Sequence, residues 1–437
     1  MADITEIKCP CCGGALKFDA KSQNIKCPYC DTEFTTEDLK EYDHQLNSGF
    51  TEKTEFDKQD SEQFTEEELA DMNAFICDSC GGQILAGPHT AATSCPYCGN
   101  PVLIKGRLTM GYKPKYIIPF KKEKTDAVNA LSEHIKKKPL LPKVFKSENK
   151  VDEIKAIYVP YWLYDADVDA RIQYDATKVR RWSDANADYV ETSYYNVIRE
   201  GNISFDHLPV DASSSIPNDL TESIEPYDFK STTEFKSTYL AGFLADKFDV
   251  TAEENAPRAV ERMKNGTKDA FYKTVNGYDT VSTKNVNVKM YNTHYDYALY
   301  PMYIMSTTWR DTKYTFAMNG ETGKFVGNLP VSKALAFGYF MMFFAIFAVV
   351  LGALGGVIGY FKGENGMLSV VIGIVIGVVV GLIITIIIIQ NMKKKNKSVA
   401  RQYGSQAYYR ENSMKIRVAK DQFLYKKVVK HEHSKDN

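Results

Sequence analysis

Eight of the nine cysteines fall into two copies of one pattern. Cys9, Cys12, Cys27 and Cys30 read C-x2-C-x14-C-x2-C, and Cys77, Cys80, Cys95 and Cys98 repeat it 68 positions later. A C-x2-C turn places two thiolates on one side of a tight loop, and two such turns complete a tetrahedral four-sulfur site. Gly13-Gly14, Gly81-Gly82 and Gly99 follow three of the pairs. Glycine lets the backbone bend there so that N–H groups aim at sulfur. The pattern predicts two structural zinc ions, with every coordination position filled and none open for catalysis. An iron–sulfur cluster or a redox dithiol are the rival chemistries. Cys11 is left over, because Asp78-Ser79 between the cysteines of the second copy shows which spacing is used.

The elements that must position these thiolates are short. Ala15-Leu16-Lys17-Phe18 and Asn24-Ile25-Lys26 read as two strands around a turn, giving a zinc ribbon over residues 1–35. A unit of that size buries too little apolar surface to fold alone, so the metal supplies the folding free energy. The second ribbon is expected over residues 73–104. Between them, residues 36–72 are strongly acidic and read as a solvated, mobile linker.

Residues 105–330 have the composition of a folded, β-rich α+β domain. Tyr116-Ile117-Ile118-Pro119-Phe120 reads as a strand, and Val128, Leu131 and Ile135 share one face of a helix starting near Thr125. Residues 219–229 and 252–274 also read as helical. Residues 281–288 and 297–308 read as two separate strands. Tyr158-Val159-Pro160-Tyr161-Trp162-Leu163 and Tyr300-Pro301-Met302-Tyr303-Ile304 are similar apolar strands, each holding a proline.

Residues 334–361 and 367–389 carry no charge, and each exceeds the roughly 20 apolar residues that a membrane-spanning helix needs. Lys362-Gly363-Glu364-Asn365-Gly366 between them has turn chemistry. Residues 333–391 therefore read as a transmembrane hairpin. Gly352, Gly355, Gly356 and Gly359, with Gly373, Gly377 and Gly381, form small-residue stripes that let two membrane helices approach closely. Lys393, Lys394, Lys395, Lys397 and Arg401 follow the second run, so the positive-inside bias places both flanks in the cytosol. No apolar signal segment opens the chain. The expected protein is a two-pass plasma-membrane protein with both termini cytosolic. Cysteines on that side point to metal and not to disulfides. Residues 392–437 form a basic tail with interleaved aromatics, suited to anionic lipid.

The arrangement resembles a family of bacterial membrane proteins known as TFIIB-type zinc-ribbon-containing proteins, sometimes labelled primosomal helicase relatives. The matching residues are the Cys9/Cys12/Cys27/Cys30 ribbon, Ile157-Tyr158-Val159-Pro160-Tyr161-Trp162, Tyr239-Leu240-Ala241-Gly242-Phe243 and Asn319-Gly320-Glu321-Thr322-Gly323-Lys324 before the hairpin. The resemblance implies a membrane-associated scaffold or recruiter near phage-shock-type and SPFH-type membrane proteins.

An ATPase or helicase would need a phosphate-binding loop. The nearest stretch has Met318 in place of the first glycine and Phe325 in place of the magnesium-binding hydroxyl, so it reads as a hairpin turn. The seven histidines are scattered, and no catalytic motif stands out. The expectation is a non-enzymatic, zinc-binding scaffold or adaptor that holds a protein partner at the membrane and touches lipid. The alternative is a membrane-tethered nucleic-acid-binding regulator. Lys8, Lys17, Lys21 and Lys26 give the first ribbon some basic character, but residues 81–100 carry no lysine or arginine and the linker would repel phosphate. The identity of the partner and the oligomeric state are not written in the sequence.

Overall fold

The computed structural model describes residues 16–19, 24–28, 33–35, 56–58, 63–65, 73–86, 94–97, 100, 103–106, 112–136, 138–142, 145, 154–310, 312–362, 366–400 and 404–433. Strands β1 (Lys17–Asp19), β2 (Asn24–Lys26) and β3 (Glu33–Phe34) form a three-stranded sheet of their own. Lys17 pairs with Lys26 and Asp19 with Asn24, the two-strand hairpin expected of the first ribbon.

Among the described residues, the remaining strands join a thirteen-stranded sheet. Its early members are β4 (Asp57–Lys58), β5 (Asn73–Ile76), β6 (Gln83–Ala86), β7 (Leu103–Gly106) and β8 (Tyr116–Ile117), followed by helix α1 (Lys124–Lys136). The spine of the sheet is β9 (Lys155–Ser183) and β10 (Ala187–Asp211). After them come α2 (Asn218–Ser223), β11 (Thr233–Glu234), β12 (Leu244–Asp246) and α3 (Ala252–Tyr272). Then follow β13 (Thr280–Trp309), β14 (Thr312–Asn319) and β15 (Phe325–Gly327). The chain ends in α4 (Lys333–Lys362), α5 (Gly366–Lys394) and β16 (Lys415–Glu432).

β9 has 29 residues, which at the rise of an extended strand is roughly 95 Å. Its burial changes in three zones. Ile157, Val159, Tyr161 and Leu163 on one face, and Tyr158, Trp162 and Tyr164 on the other, are all buried. From Ala166 to Ala176 only alternate residues are buried: Ala166, Val168, Ala170, Ile172, Tyr174 and Ala176. The intervening Asp167, Asp169, Arg171, Gln173 and Asp175 share the opposite face, the alternation of a strand covered on one side. Beyond Lys178 the strand is largely exposed.

Helix α3 covers the apolar face. Thr251 accepts from the Glu254 backbone N–H and Glu254 accepts from the Thr251 N–H, a reciprocal cap that fixes the start of the helix. Ala256, Ala259, Val260, Met263 and Phe271 then face the sheet.

Five expectations change. The helix read over residues 219–229 ends at Ser223, where α2 stops. Residues 281–308 belong to one continuous strand, because Asn292 and Thr293 form a bulge, not a turn. The proline-bearing strands are cross-strand neighbours, with Leu299 opposite Pro160 and Pro301 opposite Tyr158. The acidic linker is fastened part-way along: β4 pairs with β13, Phe56 meets Tyr164 edge-on at 4.9 Å, and Phe64 meets Phe235 at 6.0 Å. Buried aromatic contacts outweigh the solvation of the acids there. Residues 36–55 of that linker lie outside the described residues.

The fifth change is the tail. β16 pairs antiparallel with β10 from Ala187–Glu432 to Asn202–Lys415. Upstream of it, the Tyr408 ring is buried, Tyr409 Oη donates to Gly266 O at 2.6 Å, and Ser405 Oγ donates to Arg262 O at 3.0 Å. A Cβ on Gly266 would stand 2.1 Å from Ser405 Oγ, so this close approach requires glycine. Residues 404–433 are thus built into the domain.

α4 and α5 are long and apolar enough to cross a membrane. They pack along the predicted glycine seam: a Cβ on Gly355 would lie 2.0 Å from Gly373 O, and one on Gly377 would lie 2.1 Å from Leu351 O. At their base, Leu329 N donates to Asn396 O, Asn396 Nδ2 donates to Pro330 O, and Ser332 N donates to Leu140 O. Both ends of the helix pair are therefore tied to the sheet domain.

Candidate metal centre

Of the eight predicted ligands, the described residues include Cys27, Cys77, Cys80 and Cys95. Cys9, Cys12, Cys30 and Cys98 lie outside them, as does Cys11. Cys27 is buried with Phe34 beside Leu16 and Ile25, in the small core of the first ribbon.

In the second ribbon the structure brings Cys77, Cys80 and Cys95 together, with their sulfurs within 4.8 Å of one another. The Cys80 and Cys95 sulfurs are 3.6 Å apart. That is far beyond a disulfide bond, and close to the roughly 3.8 Å edge of a tetrahedron with 2.3 Å zinc–sulfur bonds. These three thiols could hold a metal ion.

Local turns set this geometry. Gly81 N donates to Cys77 O at 2.8 Å and Cys77 N to Gly82 O at 3.0 Å, closing the first knuckle. Gly81 sits at φ 76°, a left-handed conformation that glycine adopts without strain. A Cβ on Gly82 would meet the Tyr97 ring at 3.0 Å. In the second knuckle, Cys95 N donates to Asn100 O at 2.7 Å and Tyr97 N donates to Cys95 Sγ at 3.4 Å. The expected N–H aimed at sulfur is present.

The centre is not a free module. β5 and β6 pair with each other, β6 pairs with β12, and β12 runs parallel to β9 at Leu244–Ile157. Phe75, Cys77, Ile84, Ala86, Cys95 and Tyr97 share one buried cluster with Ile157, Val159 and Tyr161. Lys155 Nζ donates to Ser94 Oγ and to Cys95 O, both at 2.7 Å, and Lys313 Nζ donates to Tyr97 O. Two lysines of the sheet thus hold the second knuckle from below. Behind it, burial and the neighbouring Asp246 push the Tyr97 phenol well above its ordinary range. Burial raises Asp246 itself to about 7.

With this geometry in view, known proteins add the following. No family model matches the chain, and no solved structure matches it. The chain is similar to "Uncharacterized protein YdjG" of Bacillus subtilis (strain 168), with 28% identity over 337 residues. The match covers 77% of this chain and 93% of that relative. The likeness thus extends well beyond one ribbon, but it assigns no chemistry.

One set of polar residues escaped the sequence reading. His207 and His294, two of the scattered histidines, converge on Asp165. Nothing in their linear spacing signals this, because two bulges on different strands bring them together.

Proposed function

We propose that the chain is a membrane-anchored, zinc-binding scaffold that recruits a protein partner to the cytosolic face of the plasma membrane. On this reading Cys9, Cys12, Cys27 and Cys30 hold one structural zinc ion, and Cys77, Cys80, Cys95 and Cys98 hold a second. The two apolar helices cross the bilayer with both termini cytosolic. The resemblance to the TFIIB-type zinc-ribbon membrane proteins supplies the candidate partners, phage-shock-type or SPFH-type membrane proteins. No catalysis is assigned to the chain.

One observation carries the reading. The two ribbons are used differently: β5 and β6 are joined to the main sheet through β12, whereas among the described residues β1, β2 and β3 pair only with one another. The second ribbon is thereby a rigid support, and the first is the element suited to meet a partner. Phe18 stands 60% exposed on β1, an apolar ring of the kind that anchors protein contacts. The pairing of β16 with β10 supports the topology, because it keeps the tail and the domain on one side of the helix pair. The run of lysines at the end of α5 favours the cytosol for that side, by the positive-inside bias.

The test is co-purification from detergent-solubilised membranes. Full-length protein is compared with a chain lacking residues 1–35 and with Phe18→Ser. The scaffold reading expects a partner that is retained by the full chain and lost from both variants. Salt-sensitive duplex or single-stranded DNA binding by the full chain, with no partner lost on removing the ribbon, would instead establish the nucleic-acid reading.

A further inference from the structure

The strongest unassigned constellation surrounds Asp165, where β9 passes from fully buried to half-exposed. Both neighbouring strands are bulged at this level. In β10, Phe205 faces Ala166 and Leu208 faces Tyr164, so Asp206 and His207 together oppose Asp165. In β13, Tyr291 faces Asp167 and His294 faces Asp165, so Asn292 and Thr293 together oppose Ala166. A bulge re-aims side chains at the cost of ladder regularity, and bulges gather at functional sites. Each of these holds a non-glycine residue in the left-handed region, His207 at φ 52° and Asn292 at φ 49°. Asparagine and histidine are among the non-glycine residues that enter this region most readily. Two coincident bulges deliver one imidazole each to the same carboxylate.

Asp165, Asp206 and His207 each place a donor atom within 4.8 Å of the others, and His294 approaches the second oxygen of Asp165. His294 Nε2 lies 3.0 Å from Asp165 Oδ2, and His207 Nδ1 lies 3.9 Å from Asp165 Oδ1 and 3.4 Å from Asp206 Oδ1. Donor atoms held at about 2.1 Å from one ion are roughly 3.0–4.2 Å apart, depending on the angle between them. The three separations fall in that range.

The hydrogen bonding points the same way. Asp165 Oδ1 accepts from the His207 backbone N–H at 2.8 Å. His207 Nδ1 is buried and has no hydrogen-bond partner among the described residues, and buried Asp165 Oδ2 faces His294 Nε2. Asp165 is 2% exposed, and among the described residues no lysine or arginine forms an ion pair with it. His294 Nδ1 stands 3.3 Å from Asn292 O. Donation from that nitrogen fixes the tautomer in which Nε2 presents a lone pair, the usual second contact of a metal-binding histidine. The His207 ring is clamped face to face on Phe229, with centroids 3.4 Å apart. The surrounding cations are otherwise engaged: Lys115 with Asp296, and Arg410 with Asp167 and Asp206.

We propose that Asp165, Asp206 and His207, joined by His294 through the second oxygen of Asp165, form a binding site for one divalent transition-metal ion, separate from the cysteine centres. The donor set is two imidazoles and two carboxylates, which suits manganese, iron(II) or zinc. Asp206 and His294 are the solvent-facing side of the site, with side chains 44% and 32% exposed, and provide the route of entry.

The test uses the full chain in detergent, loaded with zinc at its cysteine sites and then titrated with manganese(II). Free manganese is read by electron paramagnetic resonance. The expected result is one manganese ion bound per chain and displaced by added zinc. Binding should weaken by at least about tenfold in His207→Ala and in His294→Gln. His294→Gln guards against a folding failure, because its side chain is partly exposed, and thermal unfolding profiles verify both variants. Weakening in either folded variant supports the site. Absence of manganese binding to the wild type, or unchanged affinity in both variants, overturns it and leaves an Asp165–His294 pair with a structural role.

Discussion

At the scale of residues, the interior of the domain is held by buried charge as well as apolar packing. Arg262 Nη2 donates to Glu225 Oε2 at 2.6 Å and Nη1 donates to Oε1 at 3.0 Å, and Nη1 also donates to Pro209 O at 2.7 Å. Burial pushes Glu225 up despite this fork, so the carboxylate depends on its partner. Arg258 plays the same part for Asp211 and Glu222, each at 2.9 Å. Removing one member of such a pair leaves an uncompensated buried charge, whereas the intact pair adds little net stability. Arg262→Met is therefore expected to destabilise the domain by about 3–5 kcal/mol, read from denaturant unfolding of the full chain. The double variant Arg262→Met, Glu225→Leu should recover most of that loss. A single variant as stable as the wild type would contradict the ion-pair argument. These pairs were not legible in the sequence, because the partners come from β10, α2 and α3 and carry no local pattern. The cysteines were, because metal geometry demands short and regular spacings.

At the scale of elements, two devices are open to test. The first is the seam between α4 and α5. Gly355 and Gly373 each approach the other's carbonyl so closely that an added Cβ would lie 2.0 Å from it. Gly355→Val should force the helices apart, lowering the thermal midpoint in detergent and weakening disulfide cross-linking between cysteines placed across the seam. Gly338→Val is the control, since a Cβ there meets nothing within 4 Å. Equal behaviour of the two variants would remove the seam from the account. The second device is β16, which covers the long edge of β10. A bare edge strand recruits other chains. A chain ending at residue 414 should therefore self-associate, measured by light scattering of the detergent-solubilised protein. An unchanged mass would show that β16 does not guard that edge. The helices were legible because a bilayer demands unbroken apolar length, and the first ribbon's hairpin because a turn separates two short strands. β13 and β16 were not. Polar residues around Asn292 and Thr293 interrupt the apolar pattern of β13, and the basic, aromatic tail read as a lipid-facing segment although β16 pairs as an edge strand.

At the scale of the whole molecule, the parts that sequence divides are joined by the sheet. The second ribbon enters through β6 and β12, the acidic segment through β4, Phe56 and Phe64, and the tail through β16. The helix pair leaves from the same body, with its two ends tied at Leu329 and Asn396. This arrangement makes the first ribbon the part with independent strand pairing and makes the second a component of the core. A metal ion held by Cys77, Cys80 and Cys95 would then stabilise the sheet and not merely a loop, since a bound structural ion contributes its binding free energy to folding. Hydrogen–deuterium exchange of the full chain, with and without a zinc chelator, tests this most directly. The account predicts that Ile84–Ala86 and Leu244–Asp246 lose protection together when zinc is removed, while the paired amides of β10 and β16 keep theirs. Full protection of those segments in demonstrably metal-free protein would contradict it.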